Sequence, residues 1–148
     1  MPQHRVLTHA GNDLVSIDTR GSAVTGRWPT GCSGTHGFPQ IDTAGEHALA
    51  SCADGNVALL DAATGAQRAR IKVGGGRSLP AYSLRTDHFY ARTDPGTHVV
   101  RLAVDGNALH DLGQVTVPKT GHCLTADTLG HYWTCDADNA HILRFNDS

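Results

Sequence analysis

Four short stretches of the chain repeat one order of apolar and polar positions. Leu14-Val15-Ser16-Ile17, Val57-Ala58-Leu59-Leu60, Val99-Val100-Arg101-Leu102 and Ile142-Leu143-Arg144-Phe145 read apolar, apolar, mostly polar, apolar. That order predicts a strand buried on one face and partly on the other. Each stretch follows a second short run that opens near a histidine: "HRVLTHAG" from His4, "HALASCAD" from His47, "HFYARTDP" from His88 and "HYWTCDAD" from His131. Aligned on these histidines, successive copies lie 43, 41 and 43 residues apart. The paired runs are separated by "AGN", "DGN", "PGT" and "DNA", the residue types of tight hairpins. Further turns, "DTRGS", "DAATG" and "VDGN", follow the first three copies. No long segment shows a helical period free of Gly or Pro.

Each period therefore predicts about four short strands: one before the histidine, the histidine strand, its hairpin partner, and one beyond the second turn. A period of ~40–45 residues carrying four strands is the signature of a propeller blade. The expected fold is all-β, a partial β-propeller of four-stranded antiparallel blades. The first copy opens at its second strand and the last stops after its third. The reading is thus one repeat domain over 1–148: partial blade 1–34, blades 35–74 and 75–120, and partial blade 121–148. The columns that begin at Leu14, Val57, Val99 and Ile142 are expected to lie buried between blades.

The motifs carry a resemblance. "HALASCADGNVALLDAATGAQRARIKVG" resembles a YVTN blade, with its strand, turn, "NV-ALLD--TG" and closing Val-Gly. "HCLTADTLGHYWTCDADNAHILRF" is similar to blades of the NHL type and of virginiamycin lyases. The resemblance implies a ring of six to eight blades with an axial channel. It also implies one of two functions: a non-catalytic binding or interaction module, or a metal-dependent enzyme similar to virginiamycin-type lyases or propeller lactonases. The first is the favoured expectation, with no cofactor. The alternative brings a divalent metal such as Mg or Ca. Propellers host unrelated activities, so the fold does not choose between them.

Composition adjusts this picture modestly. Gly is abundant at 17 of 148 residues, which suits many turns. Net charge is −2 with histidine neutral and no basic run occurs, so no nucleic-acid partner is expected. No apolar run approaches the ~20 residues of a membrane span. "MPQHRVLTHAG" lacks an apolar signal-peptide core, so the chain reads as cytoplasmic as written, or extracytoplasmic if an upstream part is missing. Uncovered blade faces predict self-association, or completion by the missing blades of a longer propeller. A protein or small-molecule ligand is expected at the channel.

His36 and His122 are the candidate ligand-binding residues. Each precedes an inner-strand segment ending in aspartate, "HGFPQID" and "HCLTAD". Inner strands line the channel, so both imidazoles could bind a ligand or metal there, or serve as hydrogen-bonded channel histidines. The third inner strand, "SLPAYS", has no such histidine. His4, His47, His88 and His131 are read as a recurring structural or surface position. Asp18, Asp42, Asp61 and Asp127 are read as turn formers that bond the backbone two residues on. "GGG" at 74–76 opens no helix and lacks the Lys of a phosphate loop, so it is read as an inter-blade linker. Ser33 and Ser51 stand in no nucleophile elbow, and no catalytic residue is singled out. Trp28 and Trp133 are read as blade packing. No cysteine pair has the spacing of a zinc knuckle. Cys123 and Cys135 should face each other across a hairpin. Adjacent-strand geometry strains a bridge, so two buried thiols are expected. Cys32 and Cys52 form a weaker candidate pair.

Overall fold

The computed structural model describes residues 4–42, 44 and 46–147, and every regular element among them is a β-strand. Fourteen strands form four antiparallel sheets. The first holds β1 (Arg5–Ala10), β2 (Asp13–Asp18) and β3 (Ala23–Pro29). The second holds β4 (Gln40–Ile41), β5 (His47–Ser51), β6 (Asn56–Asp61) and β7 (Gln67–Lys72). The third holds β8 (Arg77–Ser83), β9 (His88–Asp94), β10 (His98–Asp105) and β11 (Ala108–Thr116). The fourth holds β12 (Leu124–Ala126), β13 (His131–Asp136) and β14 (His141–Asn146). Strand order follows the chain within every sheet. The chain is therefore an all-β partial propeller. Among the described residues, the first sheet has no strand inside β1 and the last has none outside β14.

Turn chemistry sets these elements. Gly55, in the β5–β6 hairpin, sits at φ 80°, where a side chain would also run into the backbone of Gly74. That close approach fixes the start of the glycine linker between the second and third blades. The outer strand of each of the first three blades carries a bulge at one shared place, beside Ser16/Ile17, Leu59/Leu60 and Arg101/Leu102.

The core is divided into three inter-blade layers. Leu7 and Leu14 of the first blade meet Ala48, Ala50, Ala58 and Leu60 of the second. Leu49, Val57 and Leu59 of the second meet Phe89, Ala91, Val100 and Leu102 of the third. Ala81, Tyr90 and Val99 of the third meet Tyr132 of the fourth. Thus the column Leu14, Val57, Val99 faces the following blade, and the column Leu60, Leu102, Phe145 faces the preceding one. Leu14, Val57 and Val99 are fully buried, but Ile142 of the same column is 68 % exposed. The expectation that Ile142 is buried is corrected: among the described residues no strand packs over it. At the other end Val6 and Val24, both opposite Ile17, are exposed as well.

Register corrects a second expectation. His47, His88 and His131 pair with Asp61, Ala103 and Asn146, and the residue in that place on the first blade is Arg5, opposite Asp18. His4 is therefore not a fourth copy of the position. The cysteines supply a third correction. Cys32–Cys52 and Cys123–Cys135 are both disulfides, and no cysteine is free. Cys123 and Cys135 do oppose each other, next to the Leu124–Thr134 pair, so the facing geometry stands and the thiol state does not.

Candidate functional site

The β1–β2, β5–β6 and β9–β10 hairpins end at one face of the arc, together with the segments that lead into β4 and β12. His36 and His122 lie in those two segments. The first is fixed to the β5–β6 hairpin by the Cys32–Cys52 bridge and by a Thr35 to Cys52 ladder pair. The His36 amide also donates to Ser51 O at 3.0 Å, and the Ser51 hydroxyl donates to His36 O. The second segment is fixed by Cys123–Cys135, one residue beyond His122. Each histidine is thus carried on a cross-linked support.

The segments leading into β4 and β12 bring the two rings together. The His36 and His122 centroids are 5.2 Å apart, in an edge-to-face contact with an interplanar angle of 71°. His122 Nδ1 donates to Asp94 Oδ2 at 3.0 Å, from the end of β9. Asp94 stands opposite Arg77 in the β8–β9 ladder. His9, near the end of β1, donates from Nδ1 to Gly37 O at 3.0 Å. Burial is the largest influence on both His36 and His9 and holds each below the ordinary imidazole value. His122 and Arg77 push His36 further down by charge, and Asp94 pulls it back. The Nε2 atoms of His9 and His36 are buried without a partner.

His9, Asp94 and Arg77 were not singled out in the sequence. The available signals were a histidine and an aspartate beside glycine-containing hairpins, "THAG" and "TDPG", which read as turn chemistry alone. Among the described residues no three His, Cys, Asp or Glu side chains are arranged to hold a metal ion. The donors that converge here are mainly imidazole nitrogens, whereas Mg and Ca take oxygen sets.

The opposite face carries a different device. His47 Nδ1 bonds Asp42, His88 Nδ1 bonds Asp147 and His131 Nδ1 bonds Asp127, each at 2.7 Å. Asp127 also accepts from the amides of Leu129 and His131 and from Trp133 Nε1. Desolvation would raise its carboxyl, but these bonds outweigh it and hold the group well below the usual range. Asp18, Asp61 and Asp127 do bond the backbone two residues on. Asp42 instead accepts from the Glu46 amide. An open cleft of about 1130 Å³, lined by Arg5, Asp42, Asp61 and Asp87 among others, also lies on this face. Its size does not make it the better site. Three of its carboxylates are engaged, Asp42 by His47, Asp61 by Arg68 and Asp87 by Tyr82, while Arg5 Nε is buried without a partner.

The fold is that of a partial β-propeller, with His36 and His122 in ring contact at one face of the arc. Two solved β-propellers share the architecture. BamB from Moraxella catarrhalis is 12 % identical with a TM-score of 0.70, over 99 % of this chain and 41 % of that one. U3-55K is 10 % identical with a TM-score of 0.71, over 97 % of this chain and 48 % of that one. At these identities the likeness is one of fold. The chain spans a little under half the length of either protein. No known family profile matches the sequence, and no curated protein matches it.

Proposed function

We propose that the chain is a non-catalytic β-propeller binding module that works as one half of a ring, closed by a second copy, with its ligand contacts around His36 and His122. The exposure of Ile142 carries the reading. Its three counterparts are each sealed by the following blade, while Ile142 is 68 % exposed. Burying it removes apolar surface from water at ~25 cal/mol per Å². The two ends offer matching chemistry: Val6, Ile17 and Val24 on one, Ile142 beside the Arg144–Trp133 stack on the other. The proportion also fits, since the chain aligns with 41 % and 48 % of two β-propellers.

Light scattering on the chain at micromolar concentration tests the proposal. The expected mass is that of a dimer, and Ile142→Arg or Val24→Arg should shift it to monomer with an unchanged far-UV spectrum. A stable wild-type monomer would overturn closure by a second copy and turn attention to blades supplied by a longer chain. The oriented imidazole of His122 on Asp94 supports a second reading, a metal-dependent enzyme similar to virginiamycin-type lyases. Metal-dependent turnover of a lactone or cyclic ester, lost in His122→Ala, would favour that reading over the binding module.

A further inference from the structure

We infer that the seam between the first two blades holds a binding site for a small carboxylate-bearing ligand, anchored by Arg5. The repeat supplies the first observation. His47, His88 and His131 hold one place in the second, third and fourth blades, and each bonds a carboxylate there: Asp42, Asp147 and Asp127. Arg5 holds that place in the first blade, opposite Asp18. Its Nε is buried and has no hydrogen-bond partner. A guanidinium only donates, so this buried N–H calls for an acceptor. Nε and a neighbouring Nη form a fork that matches the two oxygens of a carboxylate. Asp18 is engaged elsewhere: it accepts from the Arg20 amide at 2.9 Å and pairs with Arg20 Nε at 3.6 Å.

A cavity supplies the second observation. Alternation along β1 puts Arg5 on the same face as Leu7, which packs on the second blade. A pocket of about 270 Å³ opens there, lined by Arg5, Ser16, Arg20, Thr25 and Trp28 of the first blade and Ala63 of the second. That volume is near the lower end of ligand cavities, ~300–1,000 Å³, and suits a small molecule. Trp28 gives the pocket an apolar wall. The turn at Gly65 lies against this indole, where any side chain would run into the ring. The Ser16 and Thr25 hydroxyls, bonded to each other at 3.0 Å, give a polar wall. Charge decides on which side of Arg5 an anion sits. The wide cleft on its other side is lined by Asp42, Glu46, Asp61 and Asp87, which repel one. In the pocket the Asp18 charge is met by Arg20. The carboxylate therefore takes the pocket side of Arg5, and the apolar part of the ligand lies toward Trp28.

This site is independent of ring closure and of His36 and His122. The test titrates the ¹⁵N-labelled chain, disulfides intact, with sodium benzoate and follows its indole N–H resonances. Trp28 and Trp133 are the only tryptophans, and Trp133→Phe assigns the two signals. A saturable shift of the Trp28 signal is expected, with none of Trp133, whose Nε1 is bonded to Asp127 on the fourth blade. Neutral benzamide should shift neither. Arg5→Gln should weaken benzoate by at least about tenfold, the loss of a charged hydrogen bond. It should leave the urea midpoint unchanged, because Arg5 Nε has no partner to lose. Arg68→Gln, which frees Asp61 outside the pocket, should leave benzoate binding unchanged. No saturable shift of Trp28, an equal shift with benzamide, or undiminished binding in Arg5→Gln overturns the inference. Displacement of benzoate by an equal concentration of sodium phosphate overturns the assignment to carboxylates.

Discussion

Asp147 offers the most quantitative test of how the blades are joined. It follows β14, yet its carboxylate reaches back to the third blade. There it accepts from His88 Nδ1 at 2.7 Å, Tyr90 Oη at 2.5 Å and Arg101 Nη1 at 2.7 Å. Its side chain is 2 % exposed, against 27 % for His88 and 29 % for Arg101. Removing the acceptor from a buried ionic cluster costs ~3–5 kcal/mol. His88 and Arg101 can recover some water, so Asp147→Ala is expected near the lower end, ~3 kcal/mol. With a urea slope of ~1.5–2 kcal/mol/M the midpoint falls by ~1.5–2 M. Asp147→Asn keeps an acceptor and loses the charge, for ~1–2 kcal/mol. Burial alone would raise the Asp147 carboxyl, but the bonds from Tyr90, His88 and Arg101 outweigh it and the folded value lies below the usual one. The stability it supplies is thus fully present above the unfolded value of ~3.9 and is lost as pH falls through the lower folded value. The gap between wild type and Asp147→Asn should close below pH ~4. Urea unfolding at fixed protomer concentration, across a pH series, makes the measurement. A loss under ~0.5 kcal/mol for Asp147→Ala would refute the argument and leave the Tyr90–Tyr132 stack, at 4.5 Å, and the buried Arg92 bonded to Thr134 as the ties between these blades.

Other outcomes follow from the same geometry. Leu60→Ala, at a fully buried position beside Leu7 and Leu14, should cost ~2–5 kcal/mol in the same assay. His9 and His36 are held neutral by burial, so their contribution is present above the unfolded imidazole value of ~6.5 and lost as pH falls through the lower folded values. A His9→Ala/His36→Ala double variant should therefore show a flatter loss of stability between pH 7 and 5. Iodoacetamide should label none of the four cysteines before reduction and all of them after. Replacing Cys32 and Cys52 together by Ser should cost ~3 kcal/mol, the value for a loop of that 20-residue separation.

The blade pattern was readable because it is local. Apolar columns, turn residues and a near-constant spacing each arise within one sheet, and together they placed fourteen strands in four sheets with the incomplete ones at the ends. Errors came where geometry depends on distant chain. Aligning the first copy on His4 anchored it at the end of the hairpin away from the turn, while the turn sets the register. The Gly11-Asn12 turn is shorter than its counterparts, so Arg5 takes the place expected for His4. Ile142 matched its column in chemistry, but burial required a neighbour that its own segment cannot supply. That His36 and His122 each stand ahead of a short strand was legible in the sequence. Their contact was not, because it joins segments far apart in the chain. His9 and Asp94 sit on hairpins whose turn signal masked them.

Among the described residues the first sheet begins at β1, and that leaves a signature in the backbone itself. Along an antiparallel edge, successive amides point alternately toward the partner strand and away from it. β2 serves one set of the β1 amides, and the other set faces the channel. Deuterium uptake along β1 should therefore be uneven with a period of two, slow and fast residues alternating. A strand supplied from outside, by a second copy or by adjoining chain, would slow the fast set and make uptake even. A blade face sealed by side-chain packing alone would leave the alternation in place. The exchange pattern of β1 thus separates completion by strand addition from completion by blade stacking.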